Sequence, residues 1–297
     1  MATKAVDVVT VDTSSGRVRV RDTGGSGTPV LLVHSLLLDA DLYATVVPLL
    51  TARGHRCLVP ELPFGAHAEP LAPGADLTPP GLARLLVDVL DALRVDRAHV
   101  VGVDTGGALT QLLMAEHRER VDRVVLTACD AYDQFPPTTP LARLLGPLLR
   151  RGPLALGAAG LRLRPARRML VPRSVTHRGV DDAVLRQWTV PLRDPRIRRD
   201  LSAAFGAMQP RYTLAAAEAN RDFPRPVLVA WGDDDRVFPR RLAEQLATDL
   251  PHARLVTIHD CAAFAAIDQP QVLAGLVHEH LTADVRPEPA AGDRAAR

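Results

Sequence analysis

A glycine-flanked aspartate stands where a short apolar run meets a helical pattern. The segment reads Gly102-Val103-Asp104-Thr105-Gly106-Gly107. A residue in a tight strand-to-helix turn has a strained backbone, which requires neighbours almost without side chains, and the turn lifts the central side chain above the sheet. The helix that follows adds free N–H groups and its dipole. The pattern predicts an active-site carboxylate at Asp104; the alternative is an aspartate that only caps the helix.

The segments around this turn alternate between strand and helix patterns. Strand patterns cover residues 6–11, 17–21, 29–34, 55–60, 99–103, 123–128, 226–231 and 254–258, and helical patterns cover 41–53, 79–93, 105–119, 240–250 and 269–281. The first two strands form a hairpin, and the continuous apolar runs suit parallel strands buried on both faces. This alternation predicts a mostly parallel, doubly wound eight-stranded sheet with helices on both faces.

The alternation breaks between residues 131 and 225, where prolines interrupt short helical stretches. We therefore expect one α/β core, residues 1–130 and 226–282, with a helical cap of residues 131–225 inserted after the sixth strand. Residues 283–297 are rich in Ala, Pro, Asp, Glu and Arg without periodicity, which predicts a disordered tail.

The glycine-flanked strand-to-helix turn at Asp104, which we call the elbow, and the order of strands and helices resemble the α/β-hydrolase superfamily over about residues 5–282. The aspartate resembles the branch that includes haloalkane and haloacetate dehalogenases and epoxide hydrolases, in which the carboxylate attacks carbon and forms an ester. The resemblance implies a catalytic acid three residues after Gly232, at Asp235. A loop carboxylate that only caps the next helix is the alternative for Asp235, and Asp233 and Asp234 are interpreted in that way.

The chain departs from this pattern at the general base. The family's loop after the last strand carries a histidine, and here the corresponding residue is Ala263, between Ala262 and Phe264. Alanine cannot accept a proton, so the usual triad is incomplete and attack could proceed while turnover stalls. His67, on the loop after the fourth strand, could serve as an unorthodox base, or it could be a loop-packing histidine.

The segment His34-Ser35-Leu36-Leu37 resembles the family's oxyanion loop but lacks its Gly and Pro. The resemblance implies that the backbone N–H groups of Leu36 and Thr105 bind an oxyanion and that His34 braces the loop. Thr105 is neither the Trp nor the Arg that holds halide beside the aspartate in dehalogenases, which disfavours halide chemistry.

Two tyrosines could contact the substrate. Tyr132 follows the sixth strand and Tyr212 lies in the last helical stretch of the insertion. By resemblance to the cap tyrosines of epoxide hydrolases, each could donate to a substrate oxygen, and core packing is the alternative for each.

Three functions remain open from the sequence. The first, which we adopt, is an α/β-hydrolase-fold enzyme that acts on an ester, epoxide or carbon–halogen bond with Asp104 as nucleophile. The second is a lyase, isomerase or cyclase that uses Asp104 for proton transfer in a water-poor pocket. The third is a catalytically inactive fold that binds a ligand.

Charge and composition limit the partners. The net charge is only +2, so nothing points to nucleic acid, although residues 140–225 hold 17 arginines and a net charge of +11. That basic segment could attract an anionic substrate or could simply be solvated. The longest uncharged apolar stretch, residues 152–161, is about half a membrane span, so no membrane partner is expected.

The remaining sequence features concern cofactors and location. The three cysteines, Cys57, Cys129 and Cys261, lack metal-site spacing, and no phosphate-binding glycine loop is present. We therefore expect free thiols, a cytoplasmic location, a small-molecule substrate and neither a metal nor an organic cofactor. A homodimer is left open.

Overall fold

An eight-stranded sheet lies at the centre of the computed structural model, which describes residues 7–137 and 154–283. The strands are β1 (Asp7–Thr13), β2 (Gly16–Asp22), β3 (Val30–Val33), β4 (Cys57–Pro60), β5 (Ala98–Asp104), β6 (Val121–Cys129), β7 (Val227–Gly232) and β8 (Ala253–Ile258). Their order is β1-β2-β4-β3-β5-β6-β7-β8. The β1–β2 and β2–β4 pairs are antiparallel and all other pairs are parallel. The predicted α/β fold with a mostly parallel eight-stranded sheet is confirmed.

The strands follow from their sequences. Every residue of β3, β4 and β7 is buried, as expected of parallel strands covered on both faces. The first strand is different, because β1 lies at the sheet edge and is largely exposed. Its hairpin turn to β2 brings Thr13 opposite Gly16, whose φ of 122° favours glycine.

The helices are α1 (Val46–Thr51), α2 (Pro79–Ala92), α3 (Thr105–Glu116), α4 (Leu154–Gly160), α5 (Arg164–Arg168), α6 (Asp182–Thr189), α7 (Pro195–Ala207), α8 (Pro210–Ala219), α9 (Arg240–Asp249), α10 (Ala265–Asp268) and α11 (Pro270–Thr282). Short 3₁₀ turns cover Ala40–Tyr43, Arg118–Arg120, Pro191–Arg193 and Asn220–Asp222. No helix in residues 7–137 and 154–283 is long and apolar enough to cross a membrane.

Two predicted helix boundaries are wrong. The pattern over residues 41–53 is not one helix, because a 3₁₀ turn precedes α1 and Pro48 fits only near a helix start, where its missing N–H is not needed. The helix predicted to reach residue 119 ends at Glu116, because His117 leaves the helical region with φ of −137°.

The helices α4 to α8 lie between β6 and β7 in the chain, where the sequence predicts an inserted cap. The cap boundaries at residues 131 and 225 remain a prediction. Residues 138–153, the start of the first predicted strand at residue 6, and the predicted tail from residue 284 lie outside the described residues.

Asp39 and Asp200 connect the insertion to the body. The indole Nε1 of Trp188, in α6, donates to Asp39 Oδ1 at 2.6 Å, and burial raises the pKa of Asp39 to about 6. Asp200, in α7, accepts from the backbone N–H of Leu71 at 2.9 Å. Both carboxylates are buried, so each bond forms away from water, where an unpaired group would be costly.

Asp268, at the end of α10, holds the third connection. Its carboxylate accepts from the Thr176 hydroxyl at 2.5 Å, from the backbone N–H groups of His177 and Arg178 at 3.1 Å each, and from Ala262 N–H at 3.0 Å. A buried carboxylate with four donors is a strong local tie. It fixes residues 176–178 of the insertion against the loop that follows β8.

Candidate active site

The predicted elbow is formed at the carboxyl end of β5. Asp104 has φ of 53° and caps the N-terminus of α3. A Cβ at Gly102, Gly106 or Gly107 would overlap neighbouring atoms, which belong respectively to Thr110, to the Val33 carbonyl and to Cys129. The three glycines are therefore required by close packing as well as by the turn. Asp104 lies between them with a strained backbone, at the carboxyl edge of the sheet.

The Asp104 carboxylate is held by donors on two sides. Its Oδ1 accepts from the Thr105 backbone N–H at 2.6 Å and from the Thr105 hydroxyl at 3.3 Å, and its Oδ2 accepts from the Ser35 hydroxyl at 2.7 Å. Burial raises the pKa of Asp104, and these donors act in the opposite direction by stabilising the anion. The carboxylate is thus oriented and desolvated.

A second carboxyl group, which the sequence reasoning missed, lies beside Asp104. Asp130 follows β6 directly, and the strand register places Asp104 opposite its neighbour Cys129. Asp130 is fully buried, and neither carboxyl oxygen accepts a hydrogen bond from any residue that the structure describes. Burial, followed by the nearby charge of Asp104, raises the pKa of Asp130 far above its usual range. Its only sequence signal is its position at the end of a predicted central strand.

Asp235 lies at the same edge, after β7. Its Oδ1 accepts from the backbone N–H groups of Val237 at 2.8 Å and Phe238 at 3.0 Å, while Oδ2 is buried without a donor in the described part of the chain. Burial raises the pKa of Asp235 to about 6, and the charge of Asp104 adds to the shift. Asp235 therefore carries one free oxygen near the nucleophile position, as well as the helix-capping contacts of the alternative interpretation.

The residue at the expected base position is buried and apolar. Ala263 follows β8 and is 1% exposed within the hydrophobic core. The next residue, Phe264, donates its backbone N–H to the carbonyl of Val175 at 3.0 Å, so a segment of the insertion covers this loop. In the described residues no histidine hydrogen-bonds to Asp104, Asp130 or Asp235.

The loop after β3 is braced by His34. Its Nε2 accepts from the Leu62 N–H at 2.9 Å and its Nδ1 contacts the Ser35 carbonyl at 2.9 Å, and burial lowers the His34 pKa to about 4. These contacts agree with a neutral, bracing histidine. Ser35 has no positive φ, so the missing glycine leaves no backbone strain there, and the left-handed residue is Leu37, with φ of 62°.

The two predicted oxyanion donors differ in their surroundings. The Thr105 N–H already points at Asp104 Oδ1, 2.6 Å away. The Leu36 side chain is half-buried against the core. The assignment of both N–H groups as oxyanion donors stays a prediction.

His67 is placed away from the predicted role of base. Its Nε2 lies 3.3 Å from Asp200 Oδ2 and its Nδ1 accepts from the Gly65 N–H at 3.3 Å. Both ring nitrogens of this buried histidine are therefore engaged in joining the loop after β4 to α7. These contacts disfavour the role of catalytic base, which needs a free nitrogen facing the reacting proton, and that role of His67 stays a prediction.

The predicted substrate tyrosines are also engaged elsewhere. The Tyr132 hydroxyl donates to Asp249 Oδ2, at the end of α9, at 2.9 Å. The Tyr212 hydroxyl accepts from Arg211 at 2.9 Å, and its ring packs beside Ala83 and Leu112. Neither hydroxyl hydrogen-bonds to Asp104, which favours the packing alternative, and substrate contact by either tyrosine stays a prediction.

The other polar residues of these loops form separate pairs. Asp233 contacts His259 and Asp234 contacts His177, each at 3.0 Å. Both carboxylates are more exposed than that of Asp235, as expected of solvated loop residues. Cys57, Cys129 and Cys261 are free and buried, and burial raises the pKa of each thiol. The described residues contain no group of three or more His, Cys, Asp or Glu side chains that could hold a metal ion.

A pocket lies within the insertion and away from this site. Arginines and short apolar side chains line it, namely Ala158, Leu161, Arg162, Arg167, Arg186, Thr189, Val190 and Arg193. Arg167 is already bound by Asp182 at 2.8 Å. None of the lining residues lies at the carboxyl edge of the sheet, so the pocket is not part of the candidate active site.

Known proteins resemble the chain over nearly its whole length. The profile of the family described as alpha/beta hydrolase fold matches residues 28–270. Haloalkane dehalogenase 2 of Mycobacterium tuberculosis is 28% identical over 279 residues, which cover 90% of this chain and 92% of the relative. Cis-3-alkyl-4-alkyloxetan-2-one decarboxylase of Shewanella oneidensis is 26% identical over 266 residues, which cover 86% and 82%. The crystal structure of a variant meta-cleavage product hydrolase shares the fold, with a TM-score of 0.74 at 22% identity and coverage of 92% of this chain and 97% of that one.

Proposed function

The chain belongs to the α/β-hydrolase fold family of enzymes, and we propose that Asp104 is its nucleophile, attacking an electrophilic carbon of a small organic substrate. One observation carries the proposal. Asp104 occupies a strained elbow, with φ of 53°, and its carboxylate is held by Ser35 and Thr105. Strain of this kind persists only where the surrounding structure enforces it, and it clusters at reactive sites.

The chemistry follows from a held carboxylate. An oxygen of Asp104 forms a bond to carbon while the carbon–halogen, epoxide or ester alkyl–oxygen bond breaks, and the leaving group takes the electron pair. The product of this step is an ester on Asp104. When that ester is later attacked, the N–H groups of Thr105 and Leu36 are the donors suited to its oxyanion.

The fate of the ester depends on residue 263. Release by hydrolysis requires a base that takes a proton from water, and the usual residue for this is histidine. Ala263 cannot do so, and the free Oδ2 of Asp235, buried without a donor, has no imidazole to orient. We therefore expect the Asp104 ester to form faster than water cleaves it.

A second candidate is a conversion that consumes no water. The relative from Shewanella oneidensis is named as a decarboxylase of oxetan-2-ones, and cleavage of such a ring to an alkene and carbon dioxide balances without water. An alanine at residue 263 would leave such a reaction unimpaired. The favoured substrate for this alternative is a four-membered cyclic ester that Asp104 opens.

The test is intact-protein mass spectrometry after incubation with epoxides, alkyl halides, haloacids, activated esters and oxetan-2-ones, with Asp104→Asn as control. The proposal expects a mass increase on Asp104, located by peptide mapping and absent from the Asn variant. If the folded protein acquires no adduct and releases no product from any of these classes, the nucleophile proposal is overturned.

Incubation in ¹⁸O-labelled water distinguishes the hydrolase from the water-free decarboxylase. A single hydrolytic turnover through the ester places one ¹⁸O on Asp104, because water attacks the ester carbonyl and the original carboxylate oxygen leaves with the alcohol. Decarboxylation of an oxetan-2-one releases an alkene and leaves the Asp104 mass unchanged. Label in Asp104 favours the hydrolase, and alkene without label favours the water-free alternative.

A further inference from the structure

Asp130 is a buried carboxyl group with no donor and another carboxyl group beside it. It is 0% exposed, and neither oxygen has a hydrogen-bond partner among the described residues. Asp130 directly follows Cys129, which pairs with Asp104 in the strand register, so the two carboxyl groups lie at the same end of neighbouring strands. Two adjacent carboxylates cannot both be ionised in a buried site without a large energetic cost. One proton between them removes that cost and supplies the missing donor.

We propose that Asp130 stays protonated in the resting enzyme and donates a hydrogen bond to the Asp104 carboxylate, so that the two residues hold one proton between them. Asp130 is thus a positioning residue that acts through Asp104. The proton belongs to Asp130 because Asp104 already accepts from Thr105 N–H at 2.6 Å and from the Ser35 hydroxyl at 2.7 Å, and both favour the anion there.

The surrounding groups support this assignment. The titratable groups that face the pair are Cys129, whose thiol lies beneath the elbow, and Asp235, which adds negative charge. Among the described residues, no arginine or histidine hydrogen-bonds to the carboxylate of Asp104 or Asp130. A second negative charge at Asp130 would therefore have nothing to balance it, whereas a neutral Asp130 leaves one anion where the reaction needs it.

The pair also gives Asp104 a defined protonation state for attack. In the singly protonated pair, Asp104 is anionic and accepts a hydrogen bond from Asp130 in addition to those from Thr105 and Ser35. Asp130 retains its proton while the leaving group takes the electron pair from carbon. Protonation of both groups at low pH removes the nucleophile. The rate of ester formation should consequently show an acid limb whose position depends on the donor at residue 130.

The kinetic test compares Asp130→Leu with Asp130→Asn. Leucine removes the donor and should move the acid limb of the adduct-formation rate about one pH unit upward, a roughly tenfold loss at a pH below the limb. Asparagine keeps a permanent donor and should restore the wild-type position. If Asp130 were ionised instead, both variants would remove a negative neighbour and move the limb downward, which overturns the proposal, as does an unchanged limb in both.

A second readout does not depend on catalysis. Infrared difference spectra of protein with ¹³C-labelled aspartate should show a protonated carboxyl band at pH 7 that disappears in Asp130→Asn and persists in Asp12→Asn, whose side chain is exposed. Absence of the band at pH 7, or its survival in Asp130→Asn, overturns the inference. The kinetic arm rests on the proposed function, so a band without any adduct would contradict the nucleophile and leave the pair intact, whereas an adduct without a band would do the reverse.

Discussion

The hydroxyl of Ser35 donates to Oδ2 of Asp104 at 2.7 Å, across a sequence separation of 69 residues. Ser35 stands where the resembled oxyanion loop carries glycine, so this donor is an addition to the site. Together with the Thr105 N–H it places a donor on each carboxylate oxygen. This additional hydroxyl stabilises an anionic Asp104.

The first prediction concerns this hydroxyl. Ser35→Ala should raise the pKa of Asp104, because one hydrogen bond to the anion is lost, and should move the acid limb of ester formation about one unit to higher pH. Ser35→Thr retains the hydroxyl and is the matched control. The measurement is the adduct-formation rate as a function of pH by mass spectrometry. An acid limb that is equal in wild type and Ser35→Ala would show that the bond does not influence Asp104.

The second prediction restores a base. Ala263→His should place an imidazole on the loop after β8, where the unpartnered Oδ2 of Asp235 can accept from it. Hydrolysis of the Asp104 ester should then accelerate by about 10²-fold, the lower range for general base catalysis. The readout is the lifetime of the adduct, and Ala263→Gln is the control, since it adds a polar side chain without a base.

The Ala263→His variant also tests whether the buried position 263 can accommodate a histidine side chain. Ala263 is buried, so the larger side chain must displace neighbours, and the thermal midpoint should be measured alongside. A folded Ala263→His protein whose adduct lives as long as that of Ala263→Gln would contradict the view that the site lacks only its base.

The sheet could be predicted because each strand is a short contiguous apolar run that is visible in the sequence. The elbow could be predicted because three glycines and an aspartate lie within six residues. The sequence could not predict the proposed role of Asp130, which rests on the approach of two strands and on the lack of a donor within residues 7–137 and 154–283. The direction of the Tyr132 hydroxyl was similarly hidden, because its acceptor, Asp249, lies 117 residues away. Contacts between distant segments set these roles.

The third prediction follows from the raised pKa of Asp235. Its folded pKa of about 6 lies above the ordinary 3.8, so the folded protein binds this proton more tightly than the unfolded chain. Stability is therefore lost as pH rises between these values, and the loss above pH 6 is about 2 kcal/mol after allowing for partial exposure. Asp235→Asn removes this dependence.

The measurement is the thermal midpoint of Asp235→Asn and wild type at pH 4.5 and pH 8. The variant should gain about 3 °C relative to wild type from pH 4.5 to pH 8, because roughly two thirds of the loss, about 1.3 kcal/mol, falls in this interval and about 1 kcal/mol corresponds to ~2 °C or more at this size. Only the change with pH is interpreted, because the amide itself alters the local hydrogen bonds. Asp12→Asn, at an exposed position, should show no such gain. A pH-independent difference for Asp235→Asn would contradict the assigned shift.

The last prediction concerns the tie between the insertion and the loop after β8. Asp268 accepts from the Thr176 hydroxyl and from the N–H groups of His177, Arg178 and Ala262. In Asp268→Asn the amide NH₂ cannot accept a hydrogen bond, so at least one buried donor loses its partner. This loss should lower the free energy of local opening of residues 176–178 by about 2 kcal/mol. Local opening of residues 176–178 should rise about 30-fold.

Trypsin reports this opening because Arg178 is one of the residues that Asp268 holds. Cleavage after Arg178 should accelerate in Asp268→Asn under conditions in which the global fold is retained by circular dichroism. The matched variant is Asp194→Asn, which removes an exposed ion pair with Arg196 at the start of α7 in the same insertion and should leave cleavage at Arg178 unchanged. Equal cleavage in both variants would mean that the insertion is held chiefly by Asp39 and Asp200. Faster cleavage in Asp268→Asn alone would show that Asp268 holds residues 176–178 against the loop that contains Ala262 and Ala263.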